Sequence, residues 1–273
     1  MTQTLSDRGP DAAGTWISNP CAFGHRRLSV MDPENGAQPM IRQLEDITYT
    51  IVYNGEIYNA PELKKELQQR GHFFRTQCDT EVLLVAYIEW GPECVDRLNG
   101  IFAFAVWDSG RQQVFLARDR LGVKPLFYSQ TEDVFVFGSE PKALLQHPAV
   151  EAAVDAEGLA EIFIIGPART PGHGVYSSMK ELRPGHTLIY DRDGMHIQTY
   201  WKLESIAHED DTEQTALKVR ELLMDTLERQ LISDVPVCTL LSGGLDSSAL
   251  SALAVDYYKR TGQGQVHTYS VDY

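Results

Sequence analysis

Ser242-Gly243-Gly244-Leu245-Asp246-Ser247-Ser248 decides how the C-terminal part of the chain folds. An apolar run over residues 235–241 precedes it, a helical stretch over residues 247–259 follows, and a second apolar run covers residues 267–271. Strand, turn, helix and strand in that order make a βαβ unit, the opening of a parallel sheet. Two adjacent glycines let the backbone turn sharply and aim several N–H groups at one point, and the helix that follows adds its positive end. Hydroxyls on Ser242, Ser247 and Ser248 supply further donors, so the composite suits phosphate. It is not a Walker loop, because no lysine follows the glycines, and it is not Gly-x-Gly-x-x-Gly. A bare Gly-Gly would read as a tight turn and nothing more; here the full pattern outweighs that reading. Asp246 beside a polyphosphate implies a divalent cation between them, so Mg2+ is expected with any nucleotide.

Upstream of this unit, residues 212–231 carry Val219, Leu222, Leu223, Leu227 and Leu231 on one face at helical spacing, with Asp211 and Gln214 placed as a capping box. Before that helix the composition turns acidic and polar over residues 204–211, which reads as a surface linker. Two domains are therefore expected, residues 1–203 and 212–273. The first reads as α+β and the second as α/β. Strand-length apolar runs cover residues 23–30, 47–53, 101–107, 114–117, 126–128 and 134–137. Helices are predicted over residues 61–70 and 80–90, the second with Asp79 as N-cap. Residues 187–190 and 195–200 flank Asp191-Arg192-Asp193-Gly194, a hairpin loop rather than a calcium loop, since the rest of an EF-hand is absent.

The bulk properties exclude several classes. With 273 residues and 43% apolar content the chain has material for real cores, which rules out disorder and fibre. A net charge of −14 argues against nucleic acid and anionic lipid as partners. No stretch is long and apolar enough for a membrane span, and Asp7, Arg8, Pro10 and Asp11 break any leader-like run. Cys21, Cys78, Cys94 and Cys238 lack Cys-x-x-Cys spacing, so neither zinc nor a disulfide framework is indicated. A cytoplasmic protein with reduced cysteines is expected.

A second constellation lies in the first domain. Arg8-Gly9-Pro10-Asp11, the run from His25 to Asp32, Asn54-Gly55-Glu56-Ile57-Tyr58-Asn59 and Cys78-Asp79-Thr80-Glu81-Val82 set polar groups at strand ends and turns. Taken singly each is unremarkable: Asn-Gly is a common hairpin turn, and an arginine at a strand end is usually solvated. Taken together, the set resembles the glutaminase domain of class II glutamine amidotransferases. Ser-Gly-Gly-x-Asp-Ser after an apolar strand resembles the pyrophosphate loop of ATP pyrophosphatases. Both sets in this order resemble the glutamine-dependent asparagine synthetases, as do the runs from Leu98 to Phe104, Ala117 to Leu126 and Ser139 to Leu144.

The resemblance implies a four-layer αββα sandwich of the N-terminal nucleophile hydrolase type, followed by the first βαβ part of a parallel-sheet ATP pyrophosphatase domain. Glutamine would be held by Arg27, Leu28, Ser29, Val30, Met31, Asn54, Gly55, Glu56 and Asp79. In that set Arg27 grips the α-carboxylate with two parallel hydrogen bonds and Asp79 takes the α-ammonium. The Asn54 amide and the Gly55 N–H would form the oxyanion hole. ATP would lie against Leu240, Ser242, Gly243, Gly244, Asp246, Ser247, Ser248 and Val271, with Asp246 on Mg2+. The implied reaction of the parent family makes asparagine from aspartate, ATP and glutamine-derived ammonia, with AMP, pyrophosphate and glutamate as products. A homodimer is among the expected assemblies.

Two departures accompany the match. The family's nucleophile is a cysteine at the first position of the mature chain, using its own α-amino group as base, whereas Met1 is followed by Thr2 here. The family also carries a strand and helix before the Arg8 motif, and a longer synthetase domain with its aspartate-binding residues after residue 271. The expectation is a piece cut at both ends that neither hydrolyses glutamine nor makes asparagine. Rival readings are an amidotransferase acting on another carboxylate and a non-catalytic glutamine-binding module.

Overall fold

A computed structural model describes residues 1–166 and 168–271. The chain divides into two compact units, Met1–Leu203 and Glu204–Tyr273.

The first unit contains β1 (Ala12–Ser18), β2 (Cys21–Arg27), β3 (Met40–Leu44), β4 (Ile47–Ile57), α1 (Ala60–Gln69), α2 (Asp79–Trp90) and α3 (Cys94–Arg97). It continues through β5 (Gly100–Asp108), β6 (Gln113–Arg118), β7 (Phe127–Gln130), β8 (Phe135–Gly138), α4 (Pro141–Leu144), α5 (Ala156–Ala160), β9 (Lys180–Glu181), β10 (His186–Asp191) and β11 (Gly194–Thr199). A six-stranded antiparallel sheet has the order β11-β10-β6-β5-β4-β3. Strands β5 and β6 at its centre are buried on both faces, which is why they read as unbroken apolar runs rather than alternating ones.

Alternate residues of that sheet feed two separate cores. Ile51, Tyr53, Phe104, Val106 and Phe115 face the helices and meet Leu63 and Leu67 of α1 and Leu84 and Tyr87 of α2. Val52, Ala103, Ala105, Leu116 and Leu188 face the other way and meet Phe23, Leu126 and Tyr128 from a second layer. That layer consists of the β1-β2 pair and the β8-β7-β9 sheet. Phe127, Val136 and Leu144 form a third core, with Leu144 from α4 closing the far side. The layers are thus α, β, β, α, as the resemblance implies.

Several local expectations are corrected. The N-cap of α2 is Cys78, with no side-chain cap bond. Asp79 is instead the first helical residue; its carboxylate accepts from the Tyr53 hydroxyl at 2.9 Å and the Ile57 N–H at 3.0 Å. Those donors lie in the core and leave the carboxylate no reason to turn back on its own helix. Strand β2 stops at Arg27 rather than residue 30. Strands β1, β3 and β9 and the short helices α3 to α5 lack a periodic apolar signal in the sequence.

The second unit contains α6 (Thr212–Gln230), β12 (Cys238–Leu240), α7 (Leu245–Thr261) and β13 (His267–Tyr269), with β12 and β13 parallel. The capping box at the start of α6 is formed: the Asp211 carboxylate accepts from the Gln214 N–H at 2.8 Å, and the Gln214 side chain accepts from the Asp211 N–H. Strand β12 is shorter than the apolar run that predicts it, consistent with Pro236 lacking an N–H for a ladder. The apolar face of α6 is largely open within this unit, where only Leu227 of the helix is buried and Leu222 is 67% exposed.

Candidate functional site

A cavity of about 680 Å³ opens in the first unit between β2 and β8. Neither strand pairs across it: among the described residues β2 pairs only with β1 and β8 only with β7. Phe23 and Phe137 meet edge-on from the two strands, with centroids 5.5 Å apart. Arg27, Leu28, Val30, Met31, Asn54, Gly55, Glu56 and Asp79 all line this one cavity. Ser29 does not; its N–H is turned to the Asp11 carboxylate at 2.8 Å, which pins the start of the 28–33 loop to the Arg8-Gly9-Pro10-Asp11 segment.

Gly55 is required by close approach. A Cβ there would lie 2.1 Å from the Ile101 carbonyl oxygen of the neighbouring strand. Along β4 the N–H groups of residues 53, 55 and 57 fall on one edge by the two-residue period of a strand. The Tyr53 N–H donates to the Gln38 side chain at 2.7 Å and the Ile57 N–H to Asp79. Strand β3 pairs only as far as Ile51, so the Gly55 N–H lies on that edge beyond the reach of the ladder. Beside it the Asn54 Nδ2 is buried without a hydrogen-bond partner among the described residues. An unpaired buried donor costs about 1–3 kcal/mol, so this amide is set for a partner that the folded chain does not supply.

Arg27 is buried, and its guanidinium donates to the carbonyls of Pro33 at 2.9 Å, Met31 at 2.7 Å and Asp32 at 2.9 Å. Three of its five N–H groups are therefore engaged, and no edge of the fork keeps two parallel donors. The two-pronged grip on a carboxylate is not available in this arrangement. The physical reason is that a buried guanidinium must pair its donors, and the 31–33 carbonyls wrap it. Gly36 makes room for this, since a Cβ there would strike the guanidinium at 2.1 Å.

Burial pushes the Asp79 carboxyl above the usual carboxylate range, against the hydrogen bonds from Ile57, Tyr53 and Cys78 that favour its charged form. Burial also raises Glu56, with Lys124 as the opposing cation. His25, for which the sequence suggests no role, lines the same cavity. Its Nε2 meets the Tyr53 carbonyl at 3.0 Å, while Nδ1 is buried without a partner among the described residues. An inward-facing polar residue two positions before Arg27 on a strand is the signal that could have found it.

None of the three cysteines in this unit is prepared as a nucleophile. Burial raises the thiol of Cys21 to about 12 and that of Cys78 and Cys94 likewise upward. Cys78 lines the cavity, yet its Sγ donates to Thr80 Oγ1 at 3.3 Å.

In the second unit, Gly243 adopts φ +83° and Gly244 is the N-cap of α7. Among the described residues the Gly243 and Gly244 N–H groups donate to nothing. The loop is braced by hydroxyls: Ser242 and Ser247 lie 3.0 Å apart, and the Ser247 hydroxyl donates to the Gly244 carbonyl at 3.2 Å. Helix α7 begins at Leu245, two residues before the expected 247, so Asp246 joins Ser247 and Ser248 in its first turn. Leu240 ends β12, and Leu240 and Val271 are both exposed. The Ser270 hydroxyl and the Leu241 carbonyl tie that end of the strand pair together at 2.6 Å.

Residues 218–273 match the asparagine synthase family. Asparagine synthetase [glutamine-hydrolyzing] 3 of Bacillus subtilis (strain 168) is 55% identical over 273 residues, which are 100% of this chain and 44% of that protein. Asparagine synthetase [glutamine-hydrolyzing] 1 of the same organism is 36% identical over 94% of this chain and 40% of its own length. Asparagine synthetase B [glutamine-hydrolyzing] of Escherichia coli (strain K12) is 34% identical over 97% of this chain and 42% of its own length. The chain spans less than half the length of each of these relatives. Residues 1–201, the whole αββα sandwich with its cavity, match the glutamine amidotransferase domain, and the chain belongs to that family.

Proposed function

We propose that the first unit binds glutamine in the cavity between β2 and β8, as the amide-donor half of an asparagine synthetase, and that the second unit contributes to the ATP site. The observation that carries the reading is the unpaired Asn54 amide, next to Gly55 on the edge of β4, in the same cavity as Asp79 and Arg27. Asn54 Nδ2 and the Gly55 N–H receive the oxygen of the carboxamide and stabilise the charge that develops there during acyl transfer; such donors contribute a few kcal/mol each. Asp79 takes the α-ammonium, which restores its ionised form. Arg27 supplies positive charge and a single N–H to the α-carboxylate while holding the 31–33 carbonyls in place.

For the second unit, the free Gly243 and Gly244 amides and the start of α7 favour a pyrophosphate group. No cluster of three or more metal-ligating side chains gathers among the described residues. Mg2+ needs no such cluster, being held by one or two carboxylates together with phosphate oxygens and water, and Asp246 fits that demand. When bound it would neutralise phosphate charge; the loop amides orient the phosphates. In the whole protein the reaction converts aspartate to asparagine with glutamine, ATP and release of AMP and pyrophosphate.

Calorimetric titration of this chain with glutamine tests the reading. Saturable binding that Asp79→Asn weakens about a hundredfold is expected. The raised thiols predict no ammonia release from glutamine by this chain, and measured release would contradict that assignment.

A further inference from the structure

The Asn54 amide is not the only buried, unpaired polar atom among the residues that line the cavity. His25 Nδ1 is buried without a partner among the described residues as well, and its ring is seated on the peptide that joins Tyr53 to Asn54 through the 3.0 Å contact of Nε2 with the Tyr53 carbonyl. A carbonyl only accepts, so Nε2 carries the proton and Nδ1 is a bare lone pair. Burial and the neighbouring Arg27 charge both disfavour the imidazolium, which would otherwise fill that lone pair with a second proton. Two residues of the lining thus carry one unmet donor, on Asn54, and one unmet acceptor, on His25. A primary carboxamide has the complementary pair, an oxygen that accepts and an NH2 that donates. A carboxylate has no hydrogen for the lone pair.

We propose that His25 is a specificity-determining residue of the glutamine site: its Nδ1 accepts a hydrogen from the carboxamide NH2 whose oxygen is held by Asn54. This rests on the glutamine reading above and adds how the site distinguishes an amide from the corresponding acid or ester. His25 acts as a neutral acceptor and exchanges no proton with the substrate.

Titration of the full chain with glutamine and with the γ-methyl ester of glutamate, which keeps the carbonyl and lacks the N–H, tests it. The wild-type chain is expected to prefer glutamine by about tenfold, the worth of one well-made hydrogen bond in a buried site. His25→Ala brings the ratio close to one by weakening glutamine while the ester is unchanged, and His25→Asn, which keeps an acceptor, restores part of the preference. In wild-type protein labelled with 15N-histidine, the Nδ1 resonance moves on addition of glutamine and not of the ester; this reading needs no variant to fold. Equal weakening of both ligands in His25→Ala, a ratio that falls because the ester binds more tightly, or an Nδ1 resonance unmoved by saturating glutamine would each overturn the proposal while leaving the glutamine site intact. Absence of any glutamine binding to the wild-type chain would overturn the underlying reading, and this proposal with it.

Discussion

The two units prepare for their ligands in opposite ways. The cavity of the first unit takes Arg27 and Asp79 out of water before any ligand arrives, each only 7% exposed. It carries a perturbed carboxyl, an unpaired amide and an unpaired imidazole nitrogen as consequences. The loop of the second unit keeps its glycine amides in solvent and is braced by serine hydroxyls. A buried site commits desolvation cost to the fold and recovers it on binding, so its residues reveal themselves by strain in their electrostatics. An exposed loop shows no such signs, and the charge of its ligand must supply the attraction.

Substitutions at the two glycines should expose that contrast most strongly. Gly55→Ala places a Cβ 2.1 Å from the Ile101 carbonyl, between two core strands, and is expected to cost about 3 kcal/mol in urea unfolding. Gly243→Ala meets no atom within 4 Å, so its cost is confined to the left-handed backbone, about 1 kcal/mol, and affinity for pyrophosphate falls while glutamine binding is unchanged. A cost for Gly243→Ala as large as for Gly55→Ala would remove the distinction.

Asp79→Asn separates binding from stability. Glutamine affinity is expected to drop about a hundredfold, in line with truncating a buried charged partner. Stability at neutral pH should hold or rise. Because burial raises the carboxyl in the folded state, the native chain keeps its proton at pH values where the unfolded chain has lost it. The group therefore costs stability as pH rises from the ordinary carboxylate value through the raised one. The variant should gain on wild type across that window and lose its advantage below it. Glutamine binding to the wild-type chain should weaken as pH falls through the raised value, where Asp79 becomes neutral.

Salt should sharpen the comparison further: pyrophosphate binding at the exposed loop is expected to weaken between low and physiological ionic strength, and glutamine binding in the buried cavity to change little. The smallest effect is expected at the capping box, where Asp211→Ala should lower the stability of the second unit by about 1 kcal/mol and leave the first untouched.

Much of this arrangement is legible in the sequence, for reasons that differ by element. Strands β5 and β6 and helix α2 announce themselves because burial on both sides demands continuous apolar runs. The capping box at Asp211 is readable because it is a local chemical match. By contrast, β1 (Ala12–Ser18) and β3 (Met40–Leu44) carry exposed edges and little apolar content, and only their pairing partners make them strands. In the site, the residue types at Arg27, Asn54 and Asp79 point to one pocket, and the structure gathers them. The carbonyl cage around Arg27 was not legible, since it depends on how residues 31–33 fold back over the guanidinium. Nor was the state of His25, which is set by a backbone carbonyl on a strand distant in sequence.

A crystal structure of this chain grown with saturating glutamine tests the central claim most directly. The account predicts one ordered glutamine between β2 and β8, its ammonium within about 3 Å of the Asp79 carboxylate and its amide oxygen at similar distance from Asn54 Nδ2. A cavity left without glutamine, or a glutamine bound with its amide turned away from Asn54, would contradict it.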